Sequence, residues 1–143
     1  MELGEIYDEY FVRKFEMIRQ ANKLTRKSID EVNALGEKSL NYYTSLFRFL
    51  EVEMKKNQEN SLEDYTTLIT LKLNAARLTS KLSYNEKQRN VNALTQALRL
   101  YEEVDKLFKS TNIMKQSTLL EEQNKLCQEM IHMLPVKISK INS

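Results

Sequence analysis

The stretch at residues 93–108, A-L-T-Q-A-L-R-L-Y-E-E-V-D-K-L-F, constrains this chain more than any other. Ala93, Leu94, Ala97, Leu98, Tyr101, Val104, Leu107 and Phe108 recur at steps of three and four, which gathers them into one broad stripe along a helix. A stripe that wide has to be covered, so other helices must lie on it. The pattern also occurs earlier: S-L-N-Y-Y-T-S-L-F-R-F-L at 39–50 aligns without a gap on A-L-R-L-Y-E-E-V-D-K-L-F at 97–108, with Ser39, Tyr43 and Leu46 answering to Ala97, Tyr101 and Val104. Two such copies predict stacked helical hairpins.

Other helices follow from the same period. Leu3, Ile6, Tyr7, Tyr10, Phe11, Lys14, Met17, Ile18 and Ala21 trace a face through about the first 22 residues. Ser28, with Glu31 three residues on, predicts a capping box at the start of a second helix. That helix carries Ile29, Val32, Leu35, Ser39, Tyr43, Leu46 and Leu50 to about Met54. Tyr42, Phe47 and Phe49 make it apolar over more than one face, which places it between neighbours. The run at 55–60 has no apolar residue and reads as a loop. Ser61 with Asp64 starts a third helix that ends at Lys81 or Leu82, and Asn85 caps a fourth that ends near Phe108. A second loop spans 110–117, and a last helix carries Leu119, Leu120, Leu126, Met130, Ile131 and Leu134. Pro135 is expected to kink or divide it, leaving Val136, Ile138 and Ile141 on a short tail.

The fold class expected is therefore all-α: a single domain over 1–143 with about five helices, two antiparallel hairpins and a C-terminal capping helix. Its detail is tetratricopeptide-like. Ala97, Tyr101 and Val104 keep the small-x3-aromatic-x2-apolar spacing of that repeat's second helix, and Leu3, Gly4 and Tyr7 resemble its first-helix signature, with Gly4 at the closest crossing. The two copies stand 58 residues apart, against a repeat of about 34, and the proline that ends the standard repeat is missing, so no strict repeat code applies.

Several function classes are disfavoured. No long uncharged apolar run exists, so no membrane insertion is expected. A net charge of +2, with lysines and glutamates evenly mixed, does not make a nucleic-acid surface. Cys127 is the only cysteine and His132 the only histidine. Five residues set them about 500° apart around a helix, which suits neither a shared metal nor a nucleophile–base pair. The adjacent carboxylates Glu102 and Glu103, or Glu121 and Glu122, splay around the helix and read as solvated faces. No glycine-rich phosphate loop and no metal-ligand spacing is found, so the chain is read as a non-enzyme with no catalytic, cofactor or metal site.

The order of motifs resembles the end of the KIF-binding protein family, the kinesin-motor-binding proteins. A-R-L-T-S-K-L at 76–82 and L-R-L-Y-E-E-V-D-K-L-F at 98–108 are similar to successive helices of that family, and K-S-L-N-Y-Y-T-S-L-F-R-F-L at 38–50 to the helix before them. Glu129, Met130, Met133, Leu134, Pro135 and Lys137 match the closing E-M-x-x-L-L-P-x-K-M, with Met133 for the first leucine and Ile138 for the methionine. The resemblance implies a kinesin motor domain as partner, interference with its microtubule attachment, and a cytoplasmic, cytoskeleton-associated place in microtubule-based transport. It covers only the C-terminal part of a typical member, so a fragment, a short paralogue or an incompletely predicted gene is expected. The alternative is a structural capping or self-association module of a larger scaffold.

A candidate partner surface follows if Gly4 and Ala76 mark helix crossings. Glu5, Asp8 and Glu9 on the first helix, and Thr70, Arg77 and Lys81 on the third, would then face an inner groove. The three carboxylates would complement the basic side that a motor turns toward an acidic microtubule. Self-association through exposed helical ends is also expected, with Tyr10, Phe11 and Met17 as an uncovered apolar patch.

Overall fold

The computed structural model describes residues 4–5, 8–9, 11–14, 26–57, 59–82, 84, 86–111, 113 and 116–143, with the backbone alone at 26–29. Residues 4–5, 8–9 and 11–14 are all helical and are called α1. Four longer helices follow: α2 (Arg26–Lys56), α3 (Leu62–Lys81), α4 (Lys87–Thr111) and α5 (Thr118–Asn142). No strand occurs among the described residues, and the fold is all-α.

Each helix runs antiparallel to the next. Gly4 meets Ser39 while Lys14 pairs with Glu31 at 3.4 Å, which sets α1 against α2. Gly36 faces Leu82 while Lys72 reaches Glu51, setting α2 against α3, and Lys72 also reaches Glu103 of α4. On α5, Cys127 bonds to Tyr101, Gln128 bonds to Asp105, and Ile141 lies beside Leu94. The helix thus closes the stack lengthwise along α4.

The central element is α3. Two cores meet on it: Ile69, Leu73 and Ala76 face α4 and α5, whereas Leu68, Leu71, Ala75 and Leu78 face α1 and α2. Burial nearly all round explains why its apolar residues show only a weak one-sided pattern. Each fully buried large aliphatic, such as Ile69 or Leu78, contributes about 1.5–3 kcal/mol.

The two aligned copies do the same work. Ser39 and Ala97 are both 0% exposed, and Tyr43 and Tyr101 are buried beside them. At Ser39 the buried hydroxyl donates to the Gly4 carbonyl at 2.7 Å, which satisfies a group that would otherwise be costly to bury. A Cβ on Gly4 would stand 3.2 Å from Tyr42 Cδ1, so Gly4 is the close crossing of α1 on α2. Gly36 is a second one: a Cβ there would come within 2.9 Å of Leu82 Cδ2 and 3.2 Å of the Phe11 ring.

The predicted Ser61–Asp64 capping box is present, with both bonds formed at 3.1 and 3.2 Å. Elsewhere the ends differ from expectation. The α2 helix already runs at Arg26, so Ser28 lies within the helix and not at its start. Asn85, the expected cap of α4, lies outside the described residues. At α5 the cap is Ser117, whose hydroxyl accepts from the Leu120 amide at 3.1 Å. Nor does Pro135 divide that helix, which continues to Asn142. Leu134 before the proline is fully buried, and Ile138 and Ile141 after it pack on the same core, so tertiary contacts hold helix on both sides of the proline.

Phe11 is 2% exposed and packs with Val32 and Leu78, so it belongs to the core and not to an uncovered patch; Tyr10 and Met17 lie outside the described residues. Phe49, expected between neighbours, is 67% exposed, while Phe47 is buried.

Candidate interaction surface

The predicted acidic strip divides on folding. Glu5 and Glu9 are exposed and, four residues apart, share one face of α1. Glu9 lies 4.0 Å from Arg13, a solvated pair of little energetic weight. Asp8 points the other way: it is 8% exposed, and its carboxylate accepts from the Arg77 guanidinium of α3. Asp8 and Arg77 are therefore brought together as a bridge between helices, and Asp8 is not a solvent-facing member of the strip. Thr70 lies partly buried and accepts from Gln123 of α5 at 3.2 Å. Lys81 is exposed at the end of α3, far along that helix from Thr70.

Arg77 also influences two tyrosines. Burial is the main reason that the Tyr43 and Tyr101 hydroxyls are pushed up to about 12. Asp8 adds to the shift at Tyr43 and Cys127 to that at Tyr101, while the Arg77 charge works against both.

A second polar node joins α2, α3 and α4. The Lys72 side chain is only 5% exposed, and its ammonium donates to Glu51 at 3.1 Å and to Glu103 at 3.0 Å. It also stands 5.5 Å from the centre of the Phe47 ring. Glu103 is thus a partner of a buried cation, which corrects its reading as a merely solvated carboxylate. The lysine had a sequence signal, since it interrupts the apolar run 68–73. Nothing in the sequence pointed to its two acceptors, which lie 21 residues before and 31 after.

Above this node a groove of about 440 Å³ separates α2 from α4, lined by Leu40, Phe47 and Leu100 with Arg48, Arg99 and Glu103. Apolar residues between charges of both signs suit a protein side chain better than a small anion. At the α3–α4 turn, Tyr84 donates to Glu37 at 2.7 Å and Arg89 stacks on its ring at 3.9 Å. This ties the turn back to α2.

On α5, Cys127 is fully buried and its thiol donates to the Tyr101 carbonyl at 3.0 Å, whereas His132 is exposed. Burial, then the nearby Asp105 carboxylate, pushes the thiol up to about 12. The two residues do not form a nucleophile–base couple. Among the described residues no group of three or more His, Cys, Asp or Glu is placed to hold a metal ion, and no helix is long and apolar enough to cross a membrane.

Compared with known proteins, the chain matches over residues 1–141 the family model described as KIF-1 binding protein C terminal. No curated protein and no solved structure matches it.

Proposed function

We propose that this chain, which belongs to the KIF-1 binding protein C-terminal family, is an interaction protein that binds kinesin motor domains and keeps them from microtubules. The observation that carries this reading is the family match across nearly the whole chain. The mode of action is occupancy: the motor face that meets an acidic microtubule is basic, and an acidic surface on the binder competes for it. Glu5 and Glu9 of α1 supply that charge, with Asp8 and Arg77 holding α1 in place on α3 and with Thr70 and Lys81 along the same helix as Arg77. The reading puts the protein in the cytoplasm, at the microtubule cytoskeleton, as a regulator of transport without catalytic chemistry of its own.

Microtubule co-sedimentation over a panel of kinesin motor domains tests it. The expected result is that at least one motor moves to the supernatant when the chain is added, less so as salt rises, because screening at 0.1 M acts over about 10 Å. The Glu5→Gln/Glu9→Gln double variant should slow association more than it speeds dissociation, as charges at an interface rim do. If no motor is displaced even at low salt, the chain is a capping module of a larger scaffold and the motor reading fails.

A further inference from the structure

Leu119, Leu126 and Met133 stand seven residues apart on α5 and are 53%, 45% and 43% exposed, with Val136 at 52%. Seven residues are nearly two helical turns, so these side chains form a stripe drifting only about 20° per step. A parallel series, Leu120, Cys127 and Leu134, is 0% exposed and faces the core. The α5 helix therefore carries two apolar stripes, one buried and one about half exposed among the described residues.

Its exposed charges are segregated along its length. Glu121, Glu122 and Glu129 outnumber Lys125 in the first part, while Lys137 and Lys140 stand in the last. If two α5 helices lie antiparallel with Leu126 of each opposite Met133 of the other, the same register sets Glu122 of each opposite Lys137 of the other. A parallel pair would instead oppose Glu122 to Glu122 and Lys137 to Lys137. The stripe would pair in either sense, and the charges favour one arrangement, a twofold antiparallel contact of a surface with itself.

We propose that the outer face of α5 is a self-association surface whose occupant is the α5 helix of a second copy of this chain. A 25-residue helix is about 37 Å long. A single helix pair of that length buries less than the roughly 800 Å² per partner of a standard stable interface, so the dimer is reversible and concentration-dependent. Glu129 falls beside the twofold axis, where it meets its own copy.

Segregated charge also complements the helix dipole, and a charge swap separates the two explanations. Sedimentation equilibrium from low to high micromolar concentration should show a monomer–dimer equilibrium for the natural chain. Leu126→Glu, at a position exposed in the monomer, should leave the circular dichroism unchanged and abolish the dimer. Glu122→Lys and Lys137→Glu should each weaken dimerisation about tenfold, and the double variant should restore it, because the pairing is remade with signs exchanged. Glu129→Gln should tighten the dimer. A chain that stays monomeric throughout, a Leu126→Glu variant that dimerises as the natural chain does, or a double swap no better than its singles would overturn the proposal.

Discussion

The Asp8 carboxylate of α1 and the Arg77 guanidinium of α3 are bound to each other, so two residues that the sequence offers to a partner join α1 to α3. Glu5 and Glu9, one helical turn apart, remain on the surface. Neighbouring carboxylates on one helix therefore have opposite surroundings. Asp8→Asn should cost about 1–3 kcal/mol, since the Asp8 side chain is 12% exposed but its partner is 34% exposed and can be partly solvated. Glu5→Gln and Glu9→Gln should leave the thermal midpoint unchanged. Melting curves of the three variants check the contrast, and equal shifts would contradict the assignment.

Lys72 has two acceptors, and this redundancy is testable. Glu51→Gln or Glu103→Gln alone leaves the ammonium one carboxylate, so each should cost no more than about 1 kcal/mol. Together they leave a buried cation without a counter-charge, and the double variant should lose more than the sum of the singles. Chemical denaturation of the four proteins in the cycle measures that coupling.

Ala97 is 0% exposed where α4 packs within the core shared by α3, α4 and α5. Ala97→Leu adds bulk with no space to take it and should destabilise by about 1–3 kcal/mol. Glu102→Gln, on the exposed side of the same helix, should change stability by less than about 0.5 kcal/mol.

Tyr43, Tyr84 and Tyr101 are pushed up from 10.0 to about 12, and Cys127 from 9.0 to about 12, in each case chiefly by burial. The unfolded chain releases these protons first, so across this window the folded state binds more protons and stability falls as pH rises. Their contribution is whole below pH 9.0 and is lost progressively toward about 12. Denaturation midpoints should therefore fall over that range, and phenolate absorbance should rise together with unfolding. At mildly alkaline pH the Cys127 thiol should resist alkylation until denaturant is added.

Much of the fold was legible because helical period is a local property. The stripe on α4 was read residue by residue: Ala93, Leu94, Ala97, Tyr101, Val104 and Phe108 are buried, and Leu98 and Leu107 pack against them. The Ser61–Asp64 cap was legible for the same reason, since both partners lie within one turn. Division of the last helix at Pro135 was not legible as wrong from the sequence, because the proline's local cost is real but the packing of Leu134, Ile138 and Ile141 keeps α5 continuous.

The candidate surface was less legible. A wheel drawn on α1 places Glu5, Asp8 and Glu9 at known angles, but it does not say which angle looks at α3. That depends on where α1 crosses α2, which Gly4, Ser39 and Tyr42 decide between them. Likewise Lys72 is conspicuous in its apolar run, yet its acceptors belong to helices on either side and are fixed only when both pack against α3.

By itself the sequence determined which residues become helical, which of them share a face and where one helix is capped, because those relations span no more than a turn or two. The tertiary structure alone decided that α3 is the centre, that Asp8 turns inward while Glu5 and Glu9 stay out, and that α5 has a second apolar stripe that stays about half exposed. Each of these depends on which neighbour occupies which side of a helix, and that is settled by crossings and close contacts between residues tens of positions apart.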